Sequence, residues 1–158
     1  MSGTEYHKIT APFVRFIEGE RRNQLDRTQW IRPEFELLKD VEWTWTEKIN
    51  GTNTRVIWDG HRVRFGGRTD DAQISVKLLE VLADQFPEEL LEQVFQATPV
   101  VLYGEGYGAG IQSGGNYSPI PTFALFDVLI DPWWLKPEDV RDIAMKMGIR
   151  VAPPLGTY

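Results

Sequence analysis

One lysine lies in a setting that could support nucleophilic chemistry. Residues 47–53 read Glu-Lys-Ile-Asn-Gly-Thr-Asn, which places Lys48 where a strand-forming run gives way to a polar turn containing Gly51. A lysine amine becomes a nucleophile only after it loses the proton that it carries at neutral pH, and loss of solvent or a neighbouring cation favours that loss. Because most lysines are solvated surface residues, this segment alone leaves open both a nucleophile and an ordinary exposed side chain.

A second unusual segment is rich in glycine. Ten of the 14 glycines lie between residues 51 and 115, and six of these fall within residues 103–115. Glycine beside a strand lets the backbone approach a ligand closely or adopt a positive φ, and a flexible surface loop is the other interpretation. Glu105 lies in this segment, and a carboxylate among glycines at the end of a strand is an uncommon arrangement.

The sequence excludes several other kinds of site. Without cysteine, the chain has no disulfide, zinc–thiolate site or cysteine nucleophile. It contains neither a Gly-x-x-x-x-Gly-Lys-Ser/Thr phosphate loop nor a Gly-x-Ser-x-Gly motif, and His7 and His61 lack metal-ligand spacing. No amphipathic helix follows the glycine-rich segment, as a dinucleotide-binding motif requires. The segment around Lys48 is therefore the strongest candidate for chemistry.

That segment resembles the lysine motif, Lys-x-(Asp/Asn/His)-Gly, of the covalent nucleotidyltransferases, which comprise polynucleotide ligases and mRNA capping enzymes. It is most similar to RNA ligases of the phage T4 RNA ligase 2 type, which carry Glu-Lys-x-x-Gly-Thr-Asn at this point. Three further segments follow in the family's order and approximate spacing: an arginine motif at 65–69, motif III at 102–112 and motif IIIa at 123–128. The similarity runs from about residue 8 to the end of the chain.

The resemblance implies a role for each matching residue. Lys48 would attack the α-phosphate of ATP, forming a lysyl-AMP phosphoramidate and releasing pyrophosphate. Glu105 would accept hydrogen bonds from the ribose hydroxyls, and Phe126 would stack on adenine. Arg68 would contact the ribose or phosphate side of the nucleotide.

The resemblance also implies cofactors and partners. Glu47 and Asn50 would lie beside the lysine and help to place the nucleotide and later the nicked end. ATP, with AMP carried covalently on Lys48, and Mg²⁺ or Mn²⁺ are the implied cofactors, the metal because charge builds on the departing pyrophosphate. The metal ligands are not identified. RNA, or the ends of a nicked RNA/DNA duplex, is the implied partner, and no membrane partner is expected.

The sequence departs from the family pattern in two places. Asn50 stands where DNA ligases have aspartate, which agrees better with an RNA ligase. The family's later Glu-Gly-x-Val and Lys-x-Lys segments, which support the metal and hold the phosphates, do not occur. We therefore expect residues 1–158 to form a single nucleotidyltransferase (adenylation) domain that is interrupted or shortened at its C-terminus and, by itself, feebly active.

The elements that must position these residues begin with a hairpin. Asp59 and Gly60 lie between two β-forming runs, which predicts antiparallel strands at 43–58 and 61–65. A type I′ turn is expected between them, with a positive φ at both central residues.

Two more strands and three helices complete the pattern. The strands are predicted at 99–103 and 122–130, and the helices at 75–86, 87–95 and 136–147. The first helix is expected to have one apolar face, formed by Val76, Leu79 and Ala83 with Leu78 and Leu82 beside them. Because strands pair locally with helices between them, the expected fold class is α+β with antiparallel sheets. The resemblance specifies the ATP-grasp-like nucleotidyltransferase domain of the ligase superfamily.

Composition is that of a water-soluble globular domain. The 158 residues are 42% hydrophobic and 25% charged, with no apolar run long enough to span a membrane and no signal peptide, so a cytoplasmic location is expected. The net charge of −6 gives no support for nucleic-acid binding by the chain as a whole. It is unevenly spread, because residues 1–68 carry 12 basic against 10 acidic side chains. A basic face within that half remains compatible with the sequence.

The function implied by the resemblance is ATP-dependent RNA ligation through enzyme–AMP and AMP–polynucleotide intermediates. Two alternatives stay open at this stage. One is a capping-type nucleotidyltransferase with the same lysine chemistry, and the other is a catalytically inactive module that binds nucleotide or nucleic acid.

Overall fold

The computed structural model describes residues 5–157 and divides them into two units. The smaller unit comprises residues 7–45 and 156–157, and the larger comprises residues 5–6 and Thr46–Leu155. All of the sequence-predicted site residues belong to the larger unit.

The smaller unit is built on a short hairpin. Strands β1 (Phe13–Arg15) and β2 (Leu25–Trp30) pair antiparallel, followed by helix α1 (Pro33–Leu37) and strand β3 (Thr44–Thr46). The rings of Phe13 and Trp30 stack with centroids 4.4 Å apart. No side chain of residues 7–45 is fully buried, so this unit has no closed core of its own.

The larger unit contains a six-stranded sheet and three helices. In chain order its elements are β4 (Thr52–Trp58), β5 (Val63–Gly67), α2 (Val76–Gln85), α3 (Glu88–Phe95), β6 (Val100–Tyr107), β7 (Thr122–Ile130), β8 (Trp133–Trp134), α4 (Pro137–Met147) and β9 (Arg150–Val151). The sheet order is β5-β4-β6-β7-β8, with every neighbouring pair antiparallel, and β9 pairs parallel to β7. The last strand, β10 (Pro154–Thr157), pairs with β3, and residues 44–45 and 156–157 of these two strands belong to the smaller unit.

The three helices cover one face of this sheet, because alternate strand residues are apolar and point towards them. The buried core between sheet and helices includes Val56, Leu78, Leu82, Leu91, Leu102, Leu125, Val140 and Ala144. Each large apolar side chain removed from water contributes about 1.5–3 kcal/mol, so this layer fixes the sheet against the helices. The opposite face of the sheet, called the second face below, bears the residues between these positions.

The structure confirms the fold class and most predicted elements. The sheet is antiparallel apart from one short pair, the strand at 122–130 has the predicted bounds, and α4 ends at Gly148 with φ +66. Ser75 caps α2 by accepting a hydrogen bond from the Leu78 backbone. The strand predicted at 99–103 continues to Tyr107, which carries Glu105 into the sheet.

The predicted hairpin forms, but its turn is not type I′. Four residues, 59–62, connect β4 to β5, and of these only Gly60 has a positive φ. The Asp59 carboxylate accepts hydrogen bonds from the backbone N–H groups of His61 and Arg62. The Asp59 side chain thereby pairs backbone N–H groups of a four-residue turn, as aspartate commonly does.

Two other predictions are corrected. The predicted strand 43–58 is two strands, β3 and β4, because residues 47–51 turn across the end of the sheet. The predicted face of α2 is wrong for Val76, which is 70% exposed, and for Ala83, which is also exposed, whereas Leu78 and Leu82 are buried. Among the helices in residues 5–157, none is both long enough and apolar enough to cross a membrane.

Candidate functional site

The second face of the sheet brings polar residues of neighbouring strands into rows. In the register of β4 and β6, Asn53 lies opposite Glu105 and Arg55 lies opposite Tyr103. Paired residues of antiparallel strands project from the same face, so these four side chains lie on the face away from the helices.

Glu105 connects this face to the turn that carries Lys48. Its half-buried carboxylate accepts a hydrogen bond of 3.1 Å from the Gly51 backbone N–H. Burial raises the pKa of Glu105, while the positive charge of Lys48 and the Gly51 hydrogen bond act in the opposite direction. Glu105 therefore contacts the turn that carries Lys48, and the charge of Lys48 acts on its carboxylate.

The Lys48 turn is anchored by the residue that follows the lysine. Ile49 is only 7% exposed and packs with Tyr107 and Ala124, whereas Lys48 itself is exposed. Gly51 allows the close approach, because a Cβ there would lie 2.3 Å from the Gly106 carbonyl oxygen. A buried isoleucine and a glycine thus hold the turn while the amine remains accessible.

The glycine-rich segment lies against the same turn. Gly108 has φ +124, and a Cβ there would lie 2.1 Å from the Ile120 carbonyl oxygen, so the chain can turn only with glycine at this position. A Cβ on Gly114 would lie 3.1 Å from the Asn50 carbonyl oxygen. The segment is therefore packed against the Lys48 turn.

Glu47 and Asn50 flank the lysine in the turn. The Glu47 carboxylate accepts a hydrogen bond of 3.1 Å from the Tyr117 hydroxyl, and its backbone N–H donates to the Pro153 carbonyl at 2.8 Å. Asn50 is exposed, so its side chain is accessible to solvent beside Lys48.

Asn53 offers a further polar atom next to Glu105. Its Oδ1 is buried and has no hydrogen-bond partner among the residues that the structure describes. A buried acceptor without a donor is costly, so this oxygen is suited to a donor supplied by a ligand. Sequence reasoning noted Asn53 only as part of the motif.

Arg68 follows β5 and is exposed, but its backbone is fixed from both sides. Arg55, 1% exposed, donates from Nε to the Gly67 carbonyl at 2.7 Å and from Nη2 to the Asp70 carboxylate at 2.8 Å. Within residues 5–157, no hydrogen bond or ion pair joins Arg68 to Lys48 or Glu105.

Phe126 lies at an irregularity in the sheet. In the register of β6 and β7, Tyr103 pairs with Asp127 and Gly104 pairs with Leu125, so Phe126 is an extra residue without a partner. Such a bulge reorients the side chain. Phe126 packs with the apolar residues of the second face and also lines a pocket bounded by Thr46 and Val140.

Tyr6 covers part of this region. Its ring meets Phe126 edge-on with centroids 5.1 Å apart, and its hydroxyl donates to the Asp127 carboxylate. Burial is the main reason that the pKa of Tyr6 is raised, and it raises that of Tyr103 to about 12. Both phenols are therefore neutral at physiological pH.

Three residues that hold the site together were missed by sequence reasoning: Ile49, Arg55 and Tyr117. For Arg55 the sequence did contain a signal. It lies within a β-forming run that is otherwise largely apolar, and an arginine in a buried strand needs an acidic or carbonyl partner, so an ion pair or hydrogen bond could have been predicted. Nothing in the local sequence indicated that Tyr117 would reach Glu47, 70 residues away.

Comparison with known proteins identifies the family. Residues 41–158 match the family model described as RNA ligase, which is well over half of the chain. The chain belongs to the RNA ligase family. No curated protein matches this RNA ligase chain by sequence.

Solved structures of RNA ligases share the fold of this chain. An apo aspartate-to-alanine variant of Naegleria gruberi RNA ligase aligns with a TM-score of 0.69 at 17% identity, covering 99% of this chain and 46% of that chain. A lysine-to-alanine variant of the same protein, solved with ATP and Mn, aligns with a TM-score of 0.67 at 18% identity, covering 80% and 40%. The chain thus has the RNA ligase nucleotidyltransferase fold and spans less than half of this relative's length.

Proposed function

We propose that the chain performs the adenylyl transfer of an ATP-dependent RNA ligase, with Lys48 as the nucleophile. The observation that carries the proposal is the contact between the Lys48 turn and Glu105 in a member of the RNA ligase family. Glu105 accepts a hydrogen bond from Gly51, three residues after the exposed Lys48, which supports a shared site for the two side chains. The Naegleria gruberi relative was solved with ATP or AMP and Mn, which supports the same nucleotide and a divalent metal for this chain.

The first step forms one bond and breaks another at the α-phosphorus of ATP. The deprotonated Nζ of Lys48 attacks phosphorus, the bond to the bridging oxygen breaks, and pyrophosphate leaves. The product is a lysyl-AMP phosphoramidate. AMP is then passed to a 5′-phosphate end of RNA, and a 3′-hydroxyl attacks that end, seals the strand and releases AMP.

The second face supplies groups that fit a nucleoside. The Glu105 carboxylate and the unpartnered Asn53 Oδ1 are acceptors on paired strands, suited to ribose hydroxyls. Phe126, which packs with the apolar residues of this face, offers a ring to adenine. Glu47 and Asn50 place the nucleotide from the turn, and Arg68 supplies a positive charge for its ribose or phosphate side.

The described residues fit a metal that arrives with the nucleotide rather than one held by the protein alone. Within residues 5–157 there is no group of three or more histidine, aspartate or glutamate side chains that could hold a metal ion. Mg²⁺ is commonly bound by substrate phosphates with one or two carboxylates and waters, and it neutralises charge on the departing pyrophosphate.

The proposal includes finer features that only the sequence supports. These are a single nucleotidyltransferase domain over residues 1–158, a closer relationship to the T4 RNA ligase 2 type, action on RNA or nicked RNA/DNA ends, and a cytoplasmic location.

The test is transfer of label from α-labelled ATP to the protein. We expect a covalent adduct on the unaltered chain and on Lys77→Ala, an exposed lysine of α2, and none on Lys48→Ala. Circular dichroism and thermal unfolding check that both variants fold.

Other results would contradict the proposal in distinct ways. An adduct that mass spectrometry maps to Lys8, Lys39 or Lys77 would remove Lys48 from its role. Preference for GTP would indicate a capping-type enzyme, and folded protein without any adduct would indicate an inactive binding module.

A further inference from the structure

Tyr117 makes contacts that neither the motifs nor the proposed steps use. It lies in the segment between β6 and β7, is 41% exposed, and donates its hydroxyl hydrogen to Glu47 Oε1 at 3.1 Å. Its ring meets that of Tyr107 edge-on, with centroids 6.2 Å apart and planes at 83°. Tyr107 is buried in the sheet, so the Tyr117 ring is supported from a fixed point.

The same hydroxyl contacts the turn on the other side of the lysine. The Asn50 backbone N–H lies near enough to the Tyr117 oxygen to lower the pKa of the hydroxyl, while the Glu47 carboxylate accepts the hydrogen of that hydroxyl. A phenol can donate one hydrogen bond and accept others, so these contacts are compatible. Glu47 and Asn50 flank Lys48, so the Tyr117 hydroxyl is bonded to the turn before the lysine and lies beside it after the lysine.

Packing of the backbone brings Tyr117 to this position. Gly114, three residues earlier, lies against Asn50, where an added Cβ would be 3.1 Å from the carbonyl oxygen. The backbone then forms a short helical turn, Gly114–Asn116, which leads directly to Tyr117. The segment that carries the tyrosine is thus built against the turn that carries the lysine.

We propose that Tyr117 is a positioning residue, whose hydroxyl holds the Lys48 turn closed and orients Glu47 for nucleotide transfer. The proposal rests on the proposed function for its catalytic consequence. Tyr117 acts through Glu47 and the turn rather than by touching the reacting atoms. The ring of Tyr117 is held in place by Tyr107, and its hydroxyl connects it to Glu47 in the Lys48 turn.

The expected effect is moderate because the hydrogen bond is exposed. A hydrogen bond to a charged acceptor contributes more than a neutral one, and solvent reduces that contribution. Tyr117→Phe keeps the ring and removes only the hydroxyl. We expect it to lower the maximal rate of AMP transfer about tenfold, with the KM for ATP changed less than about twofold, because the residue does not touch the nucleotide.

A measurement without nucleotide tests the positioning itself. We expect backbone amides of residues 47–51 to exchange with solvent faster in Tyr117→Phe and in Tyr117→Ala than in the unaltered chain. Asn116→Ala, an exposed neighbour in the same segment, is the matched control and should leave the exchange unchanged. Unchanged exchange in Tyr117→Phe would overturn the proposal, and so would faster exchange in Tyr117→Ala only, because the ring would then suffice.

A double-mutant cycle with Glu47→Gln tests the route of the effect on rate. If Tyr117 acts through Glu47, the double variant loses no more rate than Glu47→Gln alone. Rate losses that multiply independently would overturn the proposed route. Should the unaltered chain form no adduct, the proposed function fails, whereas the exchange experiment still decides whether Tyr117 holds the turn.

Discussion

At the scale of single residues, burial of Glu105 favours the protonated carboxyl, whereas the proposed contact with the ribose uses the ionised carboxylate. Its carboxylate is half buried beside Gly51, and burial raises its pKa above the ordinary value of 4.5 despite the nearby charge of Lys48. A carboxyl whose folded-state pKa is raised binds its proton more readily in the folded protein. The stabilisation that folding gains from the raised pKa of Glu105 is therefore fully present below pH 4.5, where the carboxyl is protonated. It is lost as the pH rises through the pKa of Glu105 in the folded protein.

The first prediction follows from the direction of the Glu105 pKa shift. Glu105→Gln removes the ionisable group, so it should stabilise the chain relative to the unaltered protein at about pH 7 and lose that advantage near pH 4. The same change should slow AMP transfer, because the ionised acceptor for the ribose is gone. Urea unfolding at the two pH values measures the first effect. A glutamine variant that is less stable at pH 7 than at pH 4, relative to the unaltered chain, would contradict it.

Phe126 gives a second prediction at this scale. Removing base stacking with Phe126→Leu should weaken ATP binding about tenfold or more, since stacking of a base on an aromatic ring contributes about 1–3 kcal/mol. Phe126→Tyr keeps the ring face and serves as the control. Titration calorimetry on folded protein measures both affinities. Equal affinities in the leucine and tyrosine variants would show that adenine does not stack there.

At the scale of elements, the turn at 47–51 is a product of close packing between backbones. Gly51 lies against β6, with the Gly106 carbonyl and the Tyr107 side chain where a Cβ would be. Neither neighbour is the far end of a flexible chain, so the contact cannot relax cheaply. The glycine of the lysine motif is therefore required by packing rather than by a positive φ.

The corresponding prediction compares two glycines. Gly51→Ala should destabilise the chain by about 1–3 kcal/mol and disturb the hydrogen bond to Glu105. Gly115→Ala should be close to neutral, because its Cβ would meet Ala109 at an ordinary 3.6 Å. Denaturant midpoints of the two variants provide the comparison. Equal stability of the two would mean that the turn can move away from β6.

Sequence patterns predicted the elements well where the pattern was local. The strand 122–130, the helices and the hairpin all depend on neighbouring residues, and they formed close to the expected positions. The predicted strand 43–58 ran through residues 47–51, although the sequence indicated a polar turn there, and the packing of Ile49 against Tyr107, 58 residues later, could not be predicted locally. The bulge at Phe126 likewise depends on the register of β6 against β7, which no local pattern encodes.

For the candidate site too, the sequence indicated the motif residues but not the distant residues that support them. The family motifs predict that Lys48 and Glu105 share a site, and in the structure Glu105 contacts the turn that carries Lys48. Tyr117 was missed because it acts on Glu47, 70 residues away, and Arg55 was missed although its place in an apolar run was a signal. The roles of all six site residues towards a nucleotide stay predictions, namely those of Glu47, Lys48, Asn50, Arg68, Glu105 and Phe126.

At the scale of the whole molecule, the two units differ in how much they bury. The larger unit encloses a core between its sheet and three helices, with Val56, Leu102 and Leu125 fully buried. Residues 7–45 have no fully buried side chain, and their hairpin relies on the stacked rings of Phe13 and Trp30. Stability should therefore be distributed unevenly along the chain.

Hydrogen exchange measured by mass spectrometry tests this distribution. Amides of β4, β6 and β7 should exchange slowest, because they pair on both sides in the middle of the sheet and open only on global unfolding. Amides of β1, β2 and α1 should exchange faster by local opening, since little apolar surface is buried there. Phe13→Ala should accelerate exchange in β1 and β2 and leave the central strands unchanged. If exchange in β1 and β2 were as slow as in β4, β6 and β7, the smaller unit would owe its stability to something other than its own packing.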